Sequence, residues 1–306
     1  MHILKRMKAI GPVSYLVVGI VAAILGLLPW LLAGLRLPLQ NLWAITVSPE
    51  NMPIVLLPFS QYALPLIVAM MVTGSAFAGV FARKTLAHQP RFALAAIVAG
   101  VLIVQLAATA QTVVTVSNGL TQSRTAFIYL AGITAGTMMA NLVGIAVLLI
   151  IARAPAAGVV VAVSVAAVAV SVWLPTIFLY AFDLATNESI ALVRVVTRWV
   201  PPVIVGLAVV WSGLGTISRV VAAIMSLLTL WVGPALFTGV SAALGSRALA
   251  DDPAAMVDFG ERAFLGALGT GGESLPLIIP AIAVMVLGQV MLRMTRRRRH
   301  STASTV

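Results

Sequence analysis

Eight apolar stretches divide this 306-residue chain, and each is long enough to cross a lipid bilayer. They comprise residues 13–35, 59–82, 92–116, 127–151, 157–180, 200–218, 220–244 and 275–293. A helix rises about 1.5 Å per residue, so about 20 apolar residues cross the roughly 30 Å hydrocarbon core. With 61% hydrophobic and 9% charged residues, the chain cannot form a water-soluble core. The sequence predicts one all-α integral membrane domain over residues 1–306, a polytopic bundle of about eight transmembrane helices.

The charged residues divide unevenly between alternate gaps, and this division orients the predicted helices. One set of gaps holds 13 of the 19 Lys and Arg residues and no acid: Lys5, Arg6, Lys8, Arg83, Lys84, Arg91, Arg153, Arg219, Arg293 and Arg296 to Arg299. The other set holds the remaining six arginines and all eight acids. Since basic residues resist translocation, the first set is predicted to be cytoplasmic. An even number of spans then places both termini in the cytoplasm.

The connection between the sixth and seventh stretches is the least certain boundary. Only Ser218 and Arg219 separate the two stretches, so we expect a tight turn from which Arg219 snorkels to the inner surface. A single long, broken helix is the alternative, but it would place the acidic segment 245–273 in the cytoplasm. The basic start followed by a long apolar run is expected to be an uncleaved first span rather than a signal peptide.

Three outer connections are longer than a turn. Residues 36–58 contain four prolines and Trp43, so we expect an irregular lid, with Trp43 and Trp30 in an aromatic belt at the headgroup level. Residues 186–199 and 253–268 are predicted to be interfacial helices that lie on the outer surface. In the second, Asp252 is the expected N-cap and Pro253 the first helical residue. The candidate outer-face contact residues are Arg194, Arg198, Asp258, Glu261 and Arg262.

Neutral polar residues inside the spans are concentrated in the third and fourth stretches. Gln105, Thr109 and Thr112 share one helix face, and Thr134, Thr137 and Asn141 form a similar face. Small residues, Gly132, Gly136, Ala140 and Gly144, run beside the second face. Such spacing lets helices approach and amides bond between them, which predicts a packed hairpin. The alternative is a polar seam through which a small neutral or zwitterionic molecule passes.

Few residues offer catalytic or metal chemistry, so we expect no cofactor, no catalytic residue and no metal site. The chain has no cysteine, and its three histidines, His2, His88 and His300, fall on the predicted cytoplasmic side. Glu50 and Asp183 are the isolated candidates for an outer-face enzyme that acts on a lipid-linked substrate. The acids between Asp251 and Glu273 lack a calcium-loop spacing, which favours a solvated acidic face.

The first half resembles actinobacterial polytopic membrane proteins of the PerM type. The resemblance covers residues 10–153: a basic start with Gly11-Pro12, an outer loop with Trp43, and a second span that opens with Leu57-Pro58 and closes with Ala82-Arg83-Lys84. It implies a role in cell division or envelope integrity and assigns no functional residue. The later half departs from that layout, with Trp231-Val232-Gly233-Pro234 in the comparable region.

These observations favour a non-enzymatic scaffold or accessory protein in the cytoplasmic membrane of a bacterium, acting in an envelope process. The abundance of Arg over Lys suggests the bacterial source. A transporter or permease for a neutral, zwitterionic or lipid-like substrate is the alternative, and an outer-face enzyme is the third. The expected partners are the lipid bilayer, anionic lipid at Arg296–Arg299 and membrane proteins. Because the basic residues are scattered at helix ends, nucleic acid is not expected.

Overall fold

The structure is a computed structural model that describes residues 12–85, 91–182, 184, 186–246, 252–272 and 274–303, apart from the side chains of residues 12 and 296–303. Ten α-helices occupy these ranges: α1 Pro12–Leu32, α2 Leu64–Thr85, α3 Ala93–Gly119, α4 Arg124–Arg153, α5 Ala156–Ala181, α6 Asn187–Thr197, α7 Val200–Ser212, α8 Ile217–Gly245, α9 Pro253–Leu268 and α10 Ile278–Ala303. Short 3₁₀ turns at Pro49–Asn51, Gln61–Ala63 and Leu275–Leu277 complete the helical structure of the described residues.

In these described ranges, eight helical segments are long and apolar enough to span a membrane, which confirms the predicted all-α, multi-pass class. The sixth of these segments differs from its predicted range. It covers Asn187–Ser212 and so includes α6, which was predicted as a separate interfacial helix at 186–199. Arg198 (φ −52°) and Trp199 (φ −83°) both keep helical backbone angles, and α6 therefore continues almost directly into α7.

The turn after α7 also lies earlier in the chain than predicted. Helix α7 ends at Ser212, and Gly213 adopts a left-handed conformation (φ 72°) that favours glycine. Helix α8 begins at Ile217, so Arg219 lies in its first turn rather than in the connection. The connection is short, as expected, but hydropathy did not locate it because Leu214 and Ile217 keep the run apolar.

The chain divides into two compact units, the first of residues 1–153 and 176–184, and the second of residues 154–175 and 185–306. In the first unit, glycines bring helix backbones into close contact. A Cβ at Gly26 of α1 would lie 2.7 Å from the Cα of Gly74 in α2, and one at Gly79 of α2 would lie 2.9 Å from the carbonyl oxygen of Leu148 in α4. Small residues of this kind permit close packing where no hydrophobic effect drives helices together.

In the second unit, glycines also bring helices into close contact, at two helix pairs. Gly206 of α7 packs against Val284 of α10, and Gly288 of α10 packs against Val210 of α7. In the other pair, α9 runs antiparallel along the C-terminal half of α8. The described range of α9 is the predicted one, and the Asp252 carboxylate caps it by accepting from the Ala255 N–H at 3.0 Å.

Helix α9, predicted to lie on the outer surface, packs closely on α8. A Cβ at Gly260 would lie 2.8 Å from the Cβ of Ala243 and 3.0 Å from the carbonyl oxygen of Gly239. Nearer the other end, the Trp231 indole donates to the carbonyl oxygen of Leu268 at 3.1 Å. Helix α9 therefore runs along the C-terminal half of α8, a contact that the sequence did not predict.

Candidate functional site

Five of the six polar residues predicted on α3 and α4 are buried in the first unit, whereas Thr134 is half-buried, and Gln105 bonds to α2. Gln105 is 1% exposed, and its amide nitrogen donates to the carbonyl oxygen of Met71 at 3.0 Å and to the Ser75 hydroxyl at 3.3 Å. A Cβ at Gly144 of α4 would lie 2.7 Å from the same Ser75 hydroxyl. Helix α2 thus contacts Gln105 of the first polar face and Gly144 of the small-residue run beside the second face, so a third helix takes part in the predicted hairpin contact.

The polar residues predicted on α3 and α4 are called the polar seam below. The threonine hydroxyl groups of this seam bond mostly to their own helices. Thr109 donates to the carbonyl oxygen of Gln105, Thr137 to that of Ile133, and Thr134 to that of Leu130, all at 2.7–2.8 Å. Back-bonding of this kind satisfies a threonine inside an apolar helix without any partner from another element. These hydroxyls are therefore already occupied in the packed bundle.

Thr112 has a different role, since it holds the lid formed by residues 36–58. Its hydroxyl accepts from the backbone N–H of Leu57 at 3.0 Å. The neighbouring Gln111, which the sequence did not single out, accepts from the N–H of Leu56 at 2.9 Å and donates to the carbonyl oxygen of Ile54 at 3.1 Å. The outer end of α3 therefore supplies the side-chain bonds that the irregular lid backbone lacks.

The lid is fixed at three further points. Gln40 donates to the carbonyl oxygens of Pro38 and Phe59, and it accepts from the Tyr129 hydroxyl of α4 at 2.8 Å. Trp43 packs on Gly119, where a Cβ would collide with the indole ring. Trp30 is only 6% exposed and donates to the carbonyl oxygen of Val55 at 2.8 Å. Trp30 is therefore a buried anchor for the lid, which corrects its predicted place in an aromatic belt.

Three buried oxygens of the first unit have no hydrogen-bond partner among the described residues. They are the side-chain oxygens of Thr73 in α2, Gln105 in α3 and Asn141 in α4. The Asn141 amide nitrogen is satisfied, since it donates to the carbonyl oxygen of Thr137 at 3.1 Å. A buried acceptor left without a donor costs about 1–3 kcal/mol. These oxygens are the feature of the seam that could receive a ligand or a water molecule.

Helix α2 contributes to the buried polar contacts of the seam, and the sequence analysis missed it. Thr73 and Ser75 are fully buried, and Ser75 contacts elements on both sides of α2. A signal was present in the sequence, because Gly74, Ser75 and Gly79 place small residues on the second stretch. That pattern is less regular than the series from Gly132 to Gly144. Regular spacing did not guarantee contact, however, because Gly132 has open space around its Cβ position.

The outer-face contact residues are distributed over two helices of the second unit. Arg262 and Asp258 of α9 form an exposed ion pair one turn apart, with side chains 69% and 63% exposed, and Glu261 beside them is exposed. Exposed pairs of this type contribute little to stability. Arg194 of α6 is exposed, and the Arg198 guanidinium lies 5.5 Å from the ring centre of Trp199.

The remaining candidates do not form a catalytic arrangement in the described part of the chain. Glu50 is fully exposed, and the Ser48 hydroxyl together with the backbone lowers the pKa of its carboxyl group. A lowered pKa keeps this carboxylate ionised at neutral pH, which is unsuitable for a general acid. Asp183, Asp251, Glu273, His2 and His88 lie outside the described residues, as do the side chains of His300 and Arg296–Arg299. Within the described ranges, no three His, Asp or Glu residues come together as metal ligands do.

Comparisons of the chain with protein-family models, curated proteins and solved structures found no match. The resemblance to PerM-type proteins therefore stays a prediction. The described residues include eight helices that are long and apolar enough to span a bilayer, which indicates a multi-pass membrane protein.

Proposed function

We propose that this chain is a non-enzymatic scaffold or accessory protein of a bacterial cytoplasmic membrane, acting in a cell-envelope process. The observation that carries the proposal is that most donors of the polar seam already bond within the protein. Gln105 bonds to α2, and the threonine hydroxyls bond to their own helices or to the lid. Polar groups used in this way stabilise a rigid bundle, which suits a protein that presents fixed surfaces to partners.

Helix α9 offers the surface that such a partner would contact. Gly260 turns toward α8, whereas Val257 (68% exposed) and Leu265 (55% exposed) stay uncovered, and Leu265 lies on the same side of the helix as the Asp258–Arg262 ion pair. An apolar surface rimmed by charged groups is typical of a protein contact. The membrane-protein partners expected from the sequence are accordingly assigned to this side of α9.

In-cell photo-crosslinking tests this proposal. A photoreactive residue at Val257 or Leu265 should give the same discrete protein adduct, and Arg262→Glu should weaken the adduct by reversing one charge of the rim. Val114, an exposed apolar residue of α3 (59% exposed), is the matched control position and should give no such adduct. The same adducts from all three positions, or lipid adducts alone, would contradict a scaffold that works through α9.

A transporter or permease is the second candidate, and the unpartnered oxygens of Gln105 and Asn141 favour it. A permeating solute with N–H or O–H groups would satisfy both acceptors. The discriminating variants are Gln105→Leu and Asn141→Leu, studied in proteoliposomes by osmotic swelling with glycerol, glycine and betaine. A scaffold predicts altered thermal stability and no solute flux in any variant. A pathway predicts flux in the wild-type protein and its loss in variants that remain folded.

A further inference from the structure

A groove of about 830 Å³ opens on the second unit where the end of α7, the start of α8 and the later part of α10 come together. It lies outside the polar seam and outside the predicted contact residues. Its lining includes Trp211, Arg219, Met285, Val286, Gln289 and Arg293. Two cations thus line the groove, and neither Asp nor Glu does so among the described residues.

The face of α10 that lines the groove changes in polarity along the helix axis. Met285, Gln289 and Arg293 are separated by one helical turn each, so they lie in one row over about 12 Å. The row passes from an apolar side chain through an amide to a cation. A phospholipid changes in the same order and over a similar length, from acyl chain through ester groups to phosphate.

Hydrogen-bond donors collect at the polar end of this row. The side-chain nitrogen of Gln289 is buried and has no acceptor among the described residues. The Arg219 guanidinium lies 3.8 Å from the Cβ position of Gly213, at the turn that borders the groove. No ion pair in the described part of the chain involves Arg219 or Arg293. The groove therefore combines unneutralised positive charge with an unsatisfied N–H donor.

The start of α8 adds to the positive potential. Its N-cap residue, Thr216, provides no side-chain hydrogen bond to the first turn. The first backbone N–H groups of a helix point away from it and carry a partial positive charge, which favours an anion at that end. Trp211 has the amphipathic side chain that typically lies at the headgroup level.

We propose that this groove binds the headgroup of one anionic phospholipid from the leaflet that the charge distribution predicts to be cytoplasmic. The phosphate lies between Arg219 and Arg293, and the Gln289 amide donates to an ester carbonyl. The acyl chains extend along Met285 and Val286. A lipid fits better than a free anion because the apolar part of the groove continues directly from the charged end.

Native mass spectrometry of the full chain in detergent tests the assignment. With phosphatidylglycerol added at low mole fraction, the wild-type protein should retain one lipid molecule, whereas Arg219→Gln with Arg293→Gln should lose it. We expect each single variant to lower lipid affinity about fivefold, the factor for one basic residue near an anionic surface. Arg153→Gln is the matched control, since Arg153 is an exposed basic residue predicted on the same side of the membrane.

Three outcomes would overturn the proposal. Equal retention by the double variant and by Arg153→Gln would show that these arginines do not hold the lipid. Equal retention of phosphatidylcholine by the wild-type protein would show that headgroup charge is not recognised. Displacement of the lipid by millimolar inorganic phosphate would show a free-anion site. If the double variant does not fold, Gln289→Met and the two wild-type measurements decide the question, because none of them alters charge on the protein.

Discussion

At the scale of single residues, glycine and neutral polar side chains hold the first unit together. Gly144 shows the two effects in one place, because its missing Cβ leaves room for the Ser75 hydroxyl, which in turn accepts from Gln105. In a bilayer, apolar contacts with lipid and with protein are similar in free energy, so close approach and hydrogen bonding decide which helices associate. The stability of this unit should therefore depend on its glycines more than on its larger apolar residues.

Helix α4 provides a matched pair for testing this dependence. Gly144→Ala places a methyl group 2.7 Å from the Ser75 hydroxyl and 3.0 Å from the Met71 carbonyl oxygen, so we expect overpacking to destabilise the protein by about 1–3 kcal/mol. Gly132→Ala meets no atom within 4 Å and should instead stabilise the helix by up to about 1 kcal/mol. Thermal unfolding in detergent measures both effects. Equal Tm values for the two variants would contradict the role given to Gly144.

Sequence patterns identified the buried polar residues but not their partners. Periodicity placed Gln105 and Asn141 on single helix faces, and both side chains are buried. It could not show that α2 lies against them, because a one-dimensional pattern reports which face is polar and not which helix meets it. The predicted position of Trp30 was wrong for the same reason. An aromatic ring near the end of a span is equally suitable at a membrane interface or beneath a lid.

At the scale of helices, α8 and α9 form an antiparallel hairpin whose contact is made by small residues. Asp252 and Pro253 predicted the start of α9 correctly, because capping depends on residues adjacent in sequence. The direction of α9 was not predictable in this way. Its apolar face could cover either lipid or another helix, and the small residues Gly239 and Ala243 that select the second option belong to α8.

The hairpin can be tested with two glycines of α9. Gly260→Leu forces a side chain into the backbone of Gly239 and the Cβ of Ala243, so we expect α9 to separate from α8 and its amides to exchange hydrogen at least tenfold faster. Gly266→Leu, at a position with open space, should leave exchange unchanged. Hydrogen exchange of the detergent-solubilised protein, followed by mass spectrometry, measures both. Unchanged exchange in Gly260→Leu would show that the contact does not hold the hairpin.

At the scale of the whole molecule, charge and hydropathy carry most of the predictive information. Eight span-length helices follow from composition alone, since the bilayer imposes one length on every crossing segment. The boundaries at α6 and α7 were misplaced because Asn187–Ser212 is the least apolar of the eight segments. The predicted orientation depends on the positive-inside rule and can be measured directly.

The natural absence of cysteine makes that measurement straightforward. Thr46→Cys in the lid and Gln122→Cys between α3 and α4 should react with a membrane-impermeant maleimide in intact cells, because both loops are predicted to be outside. Thr216→Cys, between α7 and α8, should react only after the membrane is permeabilised. All three positions are exposed. Labelling of Thr216→Cys in intact cells would reverse the predicted orientation of the second unit.

The α8–α9 hairpin also has a consequence for biosynthesis. Helix α9 contains 16 residues with three charges, too short and too polar to enter a bilayer independently. Its stable position requires α8 to be present already, and the indole of Trp231 receives its acceptor only when Leu268 has been synthesised. Residues 217–268 should therefore leave the translocon as one cooperative unit, and a ribosome stalled before residue 268 should expose α8 to membrane quality control.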